Sequence, residues 1–378
     1  MSRPPFTFLE FFAGGGMARL GLGAGWRCLF ANDFDGRKAG TYRANWGDED
    51  LKVADVWDLG SADLPGRADL AWASSPCQDF SLAGARAGLA GGKSSAFWGF
   101  WRLIEVLDDQ GRAPRAIVLE NVGGLLSSHG GADFAAVCEA LAGRGYRFGA
   151  VEIDARAFVP QSRPRVFIIA ARQTSTLLAP AEPGAFHTRG VRAAFAGLSP
   201  TLQAAWLWWR LPEPAARNTR LDALLQPDAA VRWRSPVQTE ALLAQLGPVH
   251  AARWRAALAD GNRVVAAVYR RIRREDGVKV QRAELRLDGL AGCLRTPGGG
   301  SSRQLLLVGE GGQTRSRLLT AREGARLMGL PDDYRLPASQ NAALHVIGDG
   351  VAVPVVRFLA GQLLEPLLGA SSVCAAAE

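Results

Sequence analysis

Short apolar runs alternate with helical patterns through the first half of the chain. Six segments have the apolar runs that are typical of buried strands, namely residues 6–12, 26–31, 51–53, 69–73, 115–122 and 147–153. A seventh such run begins near residue 163. Residues 17–22 and 97–107 have the apolar spacing of helices. Because strands that alternate with helices form parallel sheets with covered faces, this half of the chain predicts an α/β fold.

The second half of the chain has a different pattern. Residues 173–285 contain eight prolines that interrupt short segments, and only residues 264–274 have the composition of a longer strand. The tryptophans at positions 206, 208 and 209 predict a small local core rather than an exposed stacking platform. We therefore expect a second domain that is smaller and more irregular than the first.

The length of 378 residues suggests two domains or one domain with a large insertion. Residues 320–328 predict a scaffold helix in which Thr320 and Glu323 form a capping box. Residues 346–364 predict an apolar helix that returns to the first domain. We place the catalytic domain at residues 1–172 plus 340–378 and the second domain at residues 173–339.

The composition argues against several classes of protein. No uninterrupted run of about 18 apolar residues occurs, so we expect no membrane span, and the first residues lack the apolar core of a signal peptide. The five cysteines are scattered without a Cys-x-x-Cys pair, and only four histidines are present. We therefore expect a cytoplasmic protein with neither a disulfide framework nor a metal site.

The net charge of +8 is concentrated in one part of the chain. Residues 173–316 contain 20 Lys and Arg against 11 Asp and Glu, whereas the rest is close to neutral. A basic excess confined to one segment is typical of a surface that binds a polyanion. A solvated, arginine-rich surface is the alternative at this point.

Cys77 lies between Pro76 and Gln78, after the strand pattern at residues 69–73 and before a Gly/Ser-rich segment. Because Pro76 ends the strand, we expect Cys77 at the C-terminal edge of the sheet, under a long loop. Ligands bind at this edge in open α/β sheets. The alternative is a buried cysteine that acts as a small apolar residue.

The glycine turn at residues 13–16 follows the first strand and precedes a helix, as in nucleotide-binding crossovers. Its glycines allow a ligand to approach the backbone closely. The spacing is not Gly-x-Gly-x-x-Gly, and Glu10 precedes the turn. A carboxylate there would repel a pyrophosphate and could bind an ammonium, which favours a cofactor that carries an amino acid.

Acidic residues follow the second and third strands. Asp33 is positioned to bind ribose hydroxyls, and Phe34 could stack on a purine. Asp55 could accept from an adenine amino group while the N–H of Val56 donates. A helix N-cap formed by the acidic residues after the second strand is the alternative for Asp33.

Polar residues also lie at the ends of the later strands. Glu120 directly follows four apolar residues, so its carboxyl should point into the crevice that contains Cys77. Burial would favour its protonated form and make it a proton donor. Arg163 and Arg165 begin another buried strand, where two arginines are costly unless they face an acceptor.

In this order, the motifs resemble those of the C5-cytosine methyltransferases. The matching segments are residues 12–16, 32–35, 76–78, 120–122, 161–165, 317–332 and 348–354. Any one of them could match by chance, whereas the ordered set is specific and spans the chain except residues 173–285. The resemblance implies a Rossmann-like, S-adenosylmethionine-dependent methyltransferase domain with a smaller, irregular target-recognition domain.

The resemblance also implies the catalytic residues. The thiolate of Cys77 would add to C6 of cytosine so that C5 can attack the methyl group. Glu120 would neutralise the charge that develops on N3. Arg165 would bind the base O2, and Arg163 would support the loop or the substrate backbone.

The same motifs imply the binding residues. Cofactor contacts are expected from Phe12, Ala13, Gly14, Gly15, Gly16, Asp33, Phe34, Asp55, Val56, Pro76, Asp349 and Gly350. Substrate contacts are expected from Gln78, Ser81, Asn121, Arg271, Arg273 and Arg303.

The implied partner is double-stranded DNA, from which the target base must be extruded. A tRNA cytosine-5 methyltransferase and a catalytically silent DNA-binding relative are the alternatives, and the size of the basic region favours DNA. We expect a monomer in a bacterial cytoplasm, of bacterial or phage origin and associated with the nucleoid. A cognate restriction endonuclease is a candidate partner.

Three positions depart from the family's pattern. Glu10 stands where Asp is common, and Ser74-Ser75 precedes Pro-Cys where Gly-Phe is common. Asp349-Gly350 stands where Asn-Ser or Asn-Ala is common, which puts a carboxylate close to the expected place of the cofactor's own carboxylate.

Overall fold

The computed structural model describes residues 5–76, 96–174, 178–275, 277–296 and 303–374. The chain divides into two compact units. The first contains residues 1–154, 164–214 and 351–378, and the second contains residues 155–163 and 215–350. Each unit has its own sheet.

A seven-stranded sheet forms the centre of the first unit, in the order β3-β2-β1-β4-β5-β7-β6. Its strands are β1 (Phe6–Phe11), β2 (Trp26–Asp33), β3 (Leu51–Val53), β4 (Leu70–Ala73), β5 (Ala116–Asn121), β6 (Arg147–Asp154) and β7 (Pro164–Ala171). Strands β1 to β5 pair in parallel, whereas β7 is antiparallel to β5 and β6. The strand order changes direction between β1 and β4, where such sheets open a crevice at the carboxyl ends of their strands.

Eight helices of the described residues pack in this unit: α1 (Met17–Leu22), α2 (Gly36–Trp46), α3 (Ala96–Asp109), α4 (Ala132–Gly143), α5 (Arg189–Ala196), α6 (Pro200–Ala204), α11 (Val353–Leu359) and α12 (Glu365–Cys374). Strands β4 and β5 are buried along their whole length. This burial is why residues 70–73 and 116–119 are all apolar. One core unites Phe11 of β1, Phe100 of α3, Leu119 of β5 and Phe148 of β6.

The second unit contains a four-stranded antiparallel sheet in the order β11-β10-β8-β9. Its strands are β8 (Val264–Glu275), β9 (Val278–Arg286), β10 (Leu305–Glu310) and β11 (Gln313–Leu318), and its helices are α7 (Pro236–Leu243), α8 (Pro248–Leu258), α9 (Ala321–Leu327) and α10 (Gln340–Asp349). Leu242 of α7 and Trp254 of α8 pack with Val268 and Leu307 in its core.

The α/β fold and the individual strands of the first unit are confirmed. The second unit is irregular only in part, because its short helices and 3-10 turns precede a regular sheet. Strand β8 of this sheet coincides with the strand predicted at residues 264–274. The capping box of Thr320 and Glu323 at the start of α9 is present. Trp206 and Trp209 are buried rather than exposed, but Trp206 packs into the main core of the first unit and not into a separate local core.

The boundary between the units differs from the proposed domain limits. Residues 173–214 belong to the first unit, and residues 155–163 and 340–350 belong to the second. Val191, Leu202 and Trp206 pack into the core that contains Phe148. The prolines in this region therefore separate short helices that cover the first sheet rather than marking a new domain.

One helical stretch, Gln340–Gly369, is long and apolar enough to cross a membrane by length and composition. Of the most apolar 18-residue segment of this stretch, 56% is buried inside the protein. The stretch is also divided, because α10 ends at Asp349 and α11 begins at Val353. We interpret it as core helices of the fold.

A buried ion pair holds the start of α9 in the second unit. The guanidinium of Arg317 donates two hydrogen bonds of 2.7 Å to the carboxylate of Glu323, and both side chains are at most 1% exposed. The same carboxylate accepts from the N–H of Thr320 at 2.9 Å and of Gln226 at 2.8 Å. Glu323 therefore joins three separate segments of the unit.

We predict that Glu323→Gln strongly destabilises the protein. The variant leaves the buried Arg317 without a counter-charge, which typically costs about 3–5 kcal/mol. Urea unfolding followed by circular dichroism measures this loss. Asp332→Asn, which removes the partner of Arg326 in an exposed pair, is the matched control and should leave the unfolding midpoint almost unchanged. Equal effects of the two variants would contradict the prediction.

Candidate active site

The ends of the central strands form one edge of the sheet in the first unit. Register pairs Phe11 of β1 with Ala73 of β4, and Ala73 with Leu119 of β5. Strand β7 begins where β5 ends, since Asn121 pairs with Val166. The segments that follow these strands are the glycine turn, the run that leads to Pro76 and the residues after Asn121. The glycine turn, the run that leads to Pro76 and residues 120–122 therefore lie at one edge of this sheet.

The glycine turn contains three residues in the left-handed region. Phe12, Gly14 and Gly16 have φ angles of 59°, 57° and 78°, and for a residue as large as Phe12 this conformation is strained. The turn is closed by a hydrogen bond from Gly16 N–H to Ala13 O at 2.8 Å. A Cβ on Gly14 would meet nothing within 4 Å, so the space beside this glycine is open to a ligand.

Asp33 ties the glycine turn to the end of β2. Its carboxylate accepts from the N–H of Gly14 at 2.8 Å and from that of Asp35 at 2.9 Å. The side chain is buried, and this burial raises its pKa above the ordinary value. Each carboxylate oxygen can accept a further bond, so a ribose contact remains available. Asp35, rather than Asp33, caps helix α2.

Phe34 directly follows β2, and Asp55 lies two residues after β3, whose last residue Val53 pairs with Asp33. The ring of Phe34 is 66% exposed, which is unusual for a large apolar side chain. Asp55 is exposed and accepts from Trp57 N–H at 3.0 Å. Val56 is buried beside it. An exposed ring and an exposed carboxylate at strand ends are compatible with binding of a purine.

Glu10 lies buried beneath the first turn of α1. One of its oxygens accepts from Arg19 N–H at 3.4 Å, and the other has no hydrogen-bond partner within the described part of the chain. Burial raises the pKa of Glu10 to about 8, with a further increase from the charge of Asp33. Helix α1 has no side-chain cap of its own at Gly16. The carboxyl of Glu10 on β1 instead accepts a hydrogen bond from a backbone N–H in the first turn of this helix.

An ion pair joins β5 and β7 at the same edge. Arg165 Nε lies 3.1 Å from Glu120 Oε1, and the two side chains are 15% and 8% exposed. The guanidinium also donates to Pro164 O at 2.8 Å. Arg165 therefore faces an acceptor, as the cost of burying an arginine requires. The pair brings together two of the residues predicted to act on the base.

Asn121 connects β5 to the segment that leads to position 77. Its amide donates to Ser75 Oγ at 3.1 Å, and its oxygen accepts from Val122 N–H at 2.8 Å. Pro76 follows Ser75 and is exposed. Asn121 was predicted to contact the substrate, whereas these contacts fit a residue that holds Ser75 after the end of β4. The serine that replaces the family's usual residue thus has a defined partner.

Comparison with known sequences decides the family. The sequence model of the family described as C-5 cytosine-specific DNA methylase matches residues 6–365. The chain belongs to this family. It is therefore an enzyme of the DNA cytosine-5 methyltransferase class.

Curated relatives align with this methylase over almost the whole length of both chains. Type II methyltransferase M.HpaII of Haemophilus parainfluenzae is 27% identical over 97% of this chain and 91% of that protein. Type II methyltransferase M.NlaX of Neisseria lactamica is 25% identical over 97% of this chain and 98% of that protein. These relatives are similar throughout, including the region that the motif comparison left unmatched.

Solved structures share the fold. The S. pombe Dnmt2 methyltransferase has a TM-score of 0.60 and 18% identity, over 96% of this chain and 99% of that chain. The Entamoeba histolytica methyltransferase EhMeth has a TM-score of 0.62 and 12% identity, over 96% of this chain and 99% of that chain. These likenesses confirm the methyltransferase architecture that the motifs implied.

Three predicted site residues of the methylase, Cys77, Gln78 and Ser81, lie outside the described residues. Their roles remain predictions from the sequence. The structure describes Pro76 on one side and the residues from Ala96 on the other.

Arg163 belongs to the second unit and is only 2% exposed. It donates to Leu294 O at 2.9 Å, to Gly348 O at 2.8 Å and to Gly350 O at 2.7 Å. The guanidinium thus holds the backbone on both sides of Asp349, whose own side chain is exposed. These contacts favour loop support over a direct catalytic role for Arg163.

Arg271 and Arg273 lie on the hairpin formed by β8 and β9. Both are paired with Glu284 of β9, Arg271 Nε at 3.3 Å and Arg273 Nε at 3.0 Å. Register pairs Tyr269 with Glu284 and Val268 with the core residue Leu285. Because paired residues share a face, the two arginines and Glu284 point away from the core of the unit. Glu284 was not predictable as a site residue, because nothing in the local sequence distinguishes one acid among many basic residues.

Arg303 is half-buried, and its Nε has no hydrogen-bond partner in the described ranges. No group of three or more His, Cys, Asp or Glu side chains that could hold a metal ion occurs among the residues the structure describes.

We predict that Glu10 makes the stability of the methylase depend on pH. Its pKa is raised from 4.5 to about 8 in the folded state, so folding favours the protonated form. The contribution of protonated Glu10 to the free energy of unfolding is fully present below about pH 4.5 and is lost as the pH rises through 8. Relative to Glu10→Gln, the wild type should therefore lose up to about 1.4 kcal/mol per pH unit between these values.

Urea unfolding at pH 5, 6.5 and 8.5 measures this difference. Glu49→Gln, a change of the same kind at an exposed position, should follow the wild type at every pH. Parallel pH profiles for the wild type and Glu10→Gln would show that the prediction is wrong.

Proposed function

We propose that this methylase transfers a methyl group from S-adenosylmethionine to C5 of a cytosine in double-stranded DNA, through a covalent bond between Cys77 and C6. The observation that carries the proposal is the pairing of Glu120 with Arg165 at 3.1 Å. It lies at the sheet edge where Asn121 holds the segment that leads to Cys77. The family match names DNA as the methylated nucleic acid, so we prefer DNA to tRNA.

The proposed chemistry uses three side chains. The Cys77 thiolate adds to C6, and Glu120 gives its proton to N3, so the ring becomes an enamine. Arg165 holds the base O2 and keeps the Glu120 carboxyl in place. C5 takes up the methyl group as N3 returns its proton to Glu120. The C5 proton then leaves to water, and the thiolate is released as the C5–C6 double bond forms again. The base must be extruded from the duplex for these atoms to meet.

The residues at the glycine turn fit the proposed cofactor. When bound, S-adenosylmethionine supplies an electrophilic methyl group. The open space beside Gly14 admits a ligand to the backbone, and the unpartnered oxygen of buried Glu10 suits an ammonium. Asp33 would hold the ribose hydroxyls and the exposed ring of Phe34 would cover the purine. Asp55 and the N–H of Val56 would recognise its edge.

The remaining assignments are proposals of the same kind. Phe12, Ala13, Gly15 and Gly16 would shape the turn, and Pro76 would complete the cofactor contacts of the first unit. The cofactor contacts of Asp349 and Gly350, which belong to the second unit, stay predictions from the sequence. Gln78 and Ser81 would contact the DNA near the extruded base, and Arg303 would bind phosphate. Because the curated relatives are type II methyltransferases, we propose a bacterial cytoplasmic monomer that acts at the nucleoid beside a cognate restriction endonuclease.

We predict that duplex DNA with 5-fluorocytosine at the recognition site traps the enzyme covalently. The fluorine cannot leave as a proton does, so the adduct between Cys77 and C6 persists. Cys77→Ala should form no adduct, which denaturing gel electrophoresis shows as the loss of the shifted band. Glu120→Gln should bind S-adenosylmethionine normally and transfer methyl groups about 10²–10⁴ times more slowly.

Unmodified cytosine DNA is the control and should give no stable band. Bisulfite sequencing of DNA from cells that express the enzyme identifies the recognition site for this substrate. Release of the fluorinated DNA by active wild-type enzyme without trapping would contradict the covalent mechanism.

We predict that the outward face of the β8–β9 hairpin binds the DNA backbone. Arg271→Gln and Arg273→Gln should each weaken binding and reduce the slope of log K against log salt by about 1. Glu284→Gln should have the opposite effect, because it releases both arginines from their partner. Fluorescence anisotropy with duplex DNA across a KCl series measures these slopes. Arg274→Gln, on the opposite face of β8, is the control, and an equal effect there would exclude a face-specific contact.

A further inference from the structure

The glycine turn rests on an aromatic side chain at the end of α2. Trp46 Nε1 donates a hydrogen bond to Gly15 O at 3.2 Å. The indole also lies directly against the next glycine, since a Cβ on Gly16 would be 2.4 Å from Trp46 Nε1. Gly16 therefore has to be glycine for two reasons, namely its left-handed φ of 78° and the lack of space.

The contact of Trp46 fixes the peptide plane between Gly15 and Gly16. One polar atom of this plane, Gly15 O, accepts from Trp46. The other, Gly16 N–H, donates to Ala13 O at 2.8 Å. Because a peptide unit is planar, two hydrogen bonds on opposite sides determine its orientation. Two consecutive glycines have more backbone freedom than any other residue pair. Without the indole, the Gly15–Gly16 peptide would therefore be free to change its orientation.

Arg19 of α1 stacks on the ring of Trp46. The guanidinium carbon lies 5.0 Å from the centre of the Trp46 ring and 5.7 Å from that of Tyr42. Arg19 Nη1 also donates to Tyr42 OH at 2.7 Å and to Asp50 at 3.2 Å. Tyr42 is fully buried. The indole is therefore fixed by stacking as well as by its hydrogen bond.

We propose that Trp46 is a positioning residue for the cofactor, which it orients by fixing the Gly15–Gly16 peptide. The inference rests on the proposed function, because it requires the glycine turn to bind S-adenosylmethionine. No motif of the sequence marks Trp46, and its ring does not need to touch the cofactor. Phenylalanine at this position would preserve stacking with Arg19 but has no donor for Gly15 O.

Trp46→Phe tests the inference with two readouts. Calorimetric titration with S-adenosylmethionine should give a Kd about threefold to tenfold higher, the range expected for the loss of one hydrogen bond. Hydrogen exchange of the peptide that covers residues 12–20, measured without cofactor, should become faster in the variant. Affinity for duplex DNA and kcat at saturating cofactor should stay within about twofold of the wild type.

Trp26→Phe is the matched control. The indole of Trp26 is buried and donates to Glu365 at 3.1 Å, but it lies at the start of β2, at the opposite end of that strand from Asp33. The control removes a similar hydrogen bond and should change neither the cofactor Kd nor exchange in residues 12–20.

Two results would overturn the inference: wild-type exchange and wild-type cofactor Kd in Trp46→Phe, or equal losses of cofactor affinity, DNA affinity and kcat. A wild-type protein that binds no S-adenosylmethionine would refute the proposed function and the cofactor role of Trp46 with it. Exchange in residues 12–20 would then still show whether Trp46 fixes the turn.

Discussion

Antiparallel pairing of β7 with β5 is the constraint on which the candidate active site depends. Strand β5 ends with Glu120 and Asn121, and β7 begins with Pro164 and Arg165, so the register places the end of one strand beside the start of the other. If β7 ran parallel to β5, its last residues, and not Pro164 and Arg165, would lie at this edge. The reversal of a single strand thus supplies a fixed cation beside the carboxylate, within a sheet that is otherwise parallel from β3 to β5.

Two buried carboxylates stabilise the glycine turn in different ways. Asp33 accepts from two backbone N–H groups, those of Gly14 and Asp35, and so compensates for much of the cost of its burial. Glu10 accepts a long hydrogen bond of 3.4 Å from Arg19 N–H, its other oxygen has no hydrogen-bond partner among the described residues, and burial raises its pKa to about 8. The turn is therefore held by one well-satisfied carboxylate and one that is poorly satisfied, which is a common arrangement at ligand sites.

Local patterns were sufficient to predict the strands, the glycine turn and the position of Glu120, because each depends on residues that are adjacent in the chain. Contacts between distant segments were not predictable in this way. The bond of Trp46 to Gly15 and that of Asn121 to Ser75 depend on how strands and helices pack. The limits of the first unit were missed because apolar residues such as Trp206 join a core whose other members lie far away in the sequence.

Arg163 and Arg165 show how closely two tasks can be placed along a chain. Only Pro164 separates them, yet Arg163 binds backbone carbonyls of the second unit and Arg165 binds a carboxylate of the first. Insertion or deletion of one residue here would shift β7 by one position and turn its side chains to the opposite face of the sheet. The number of residues in this stretch is therefore under stronger structural constraint than the identity of the residue between the arginines.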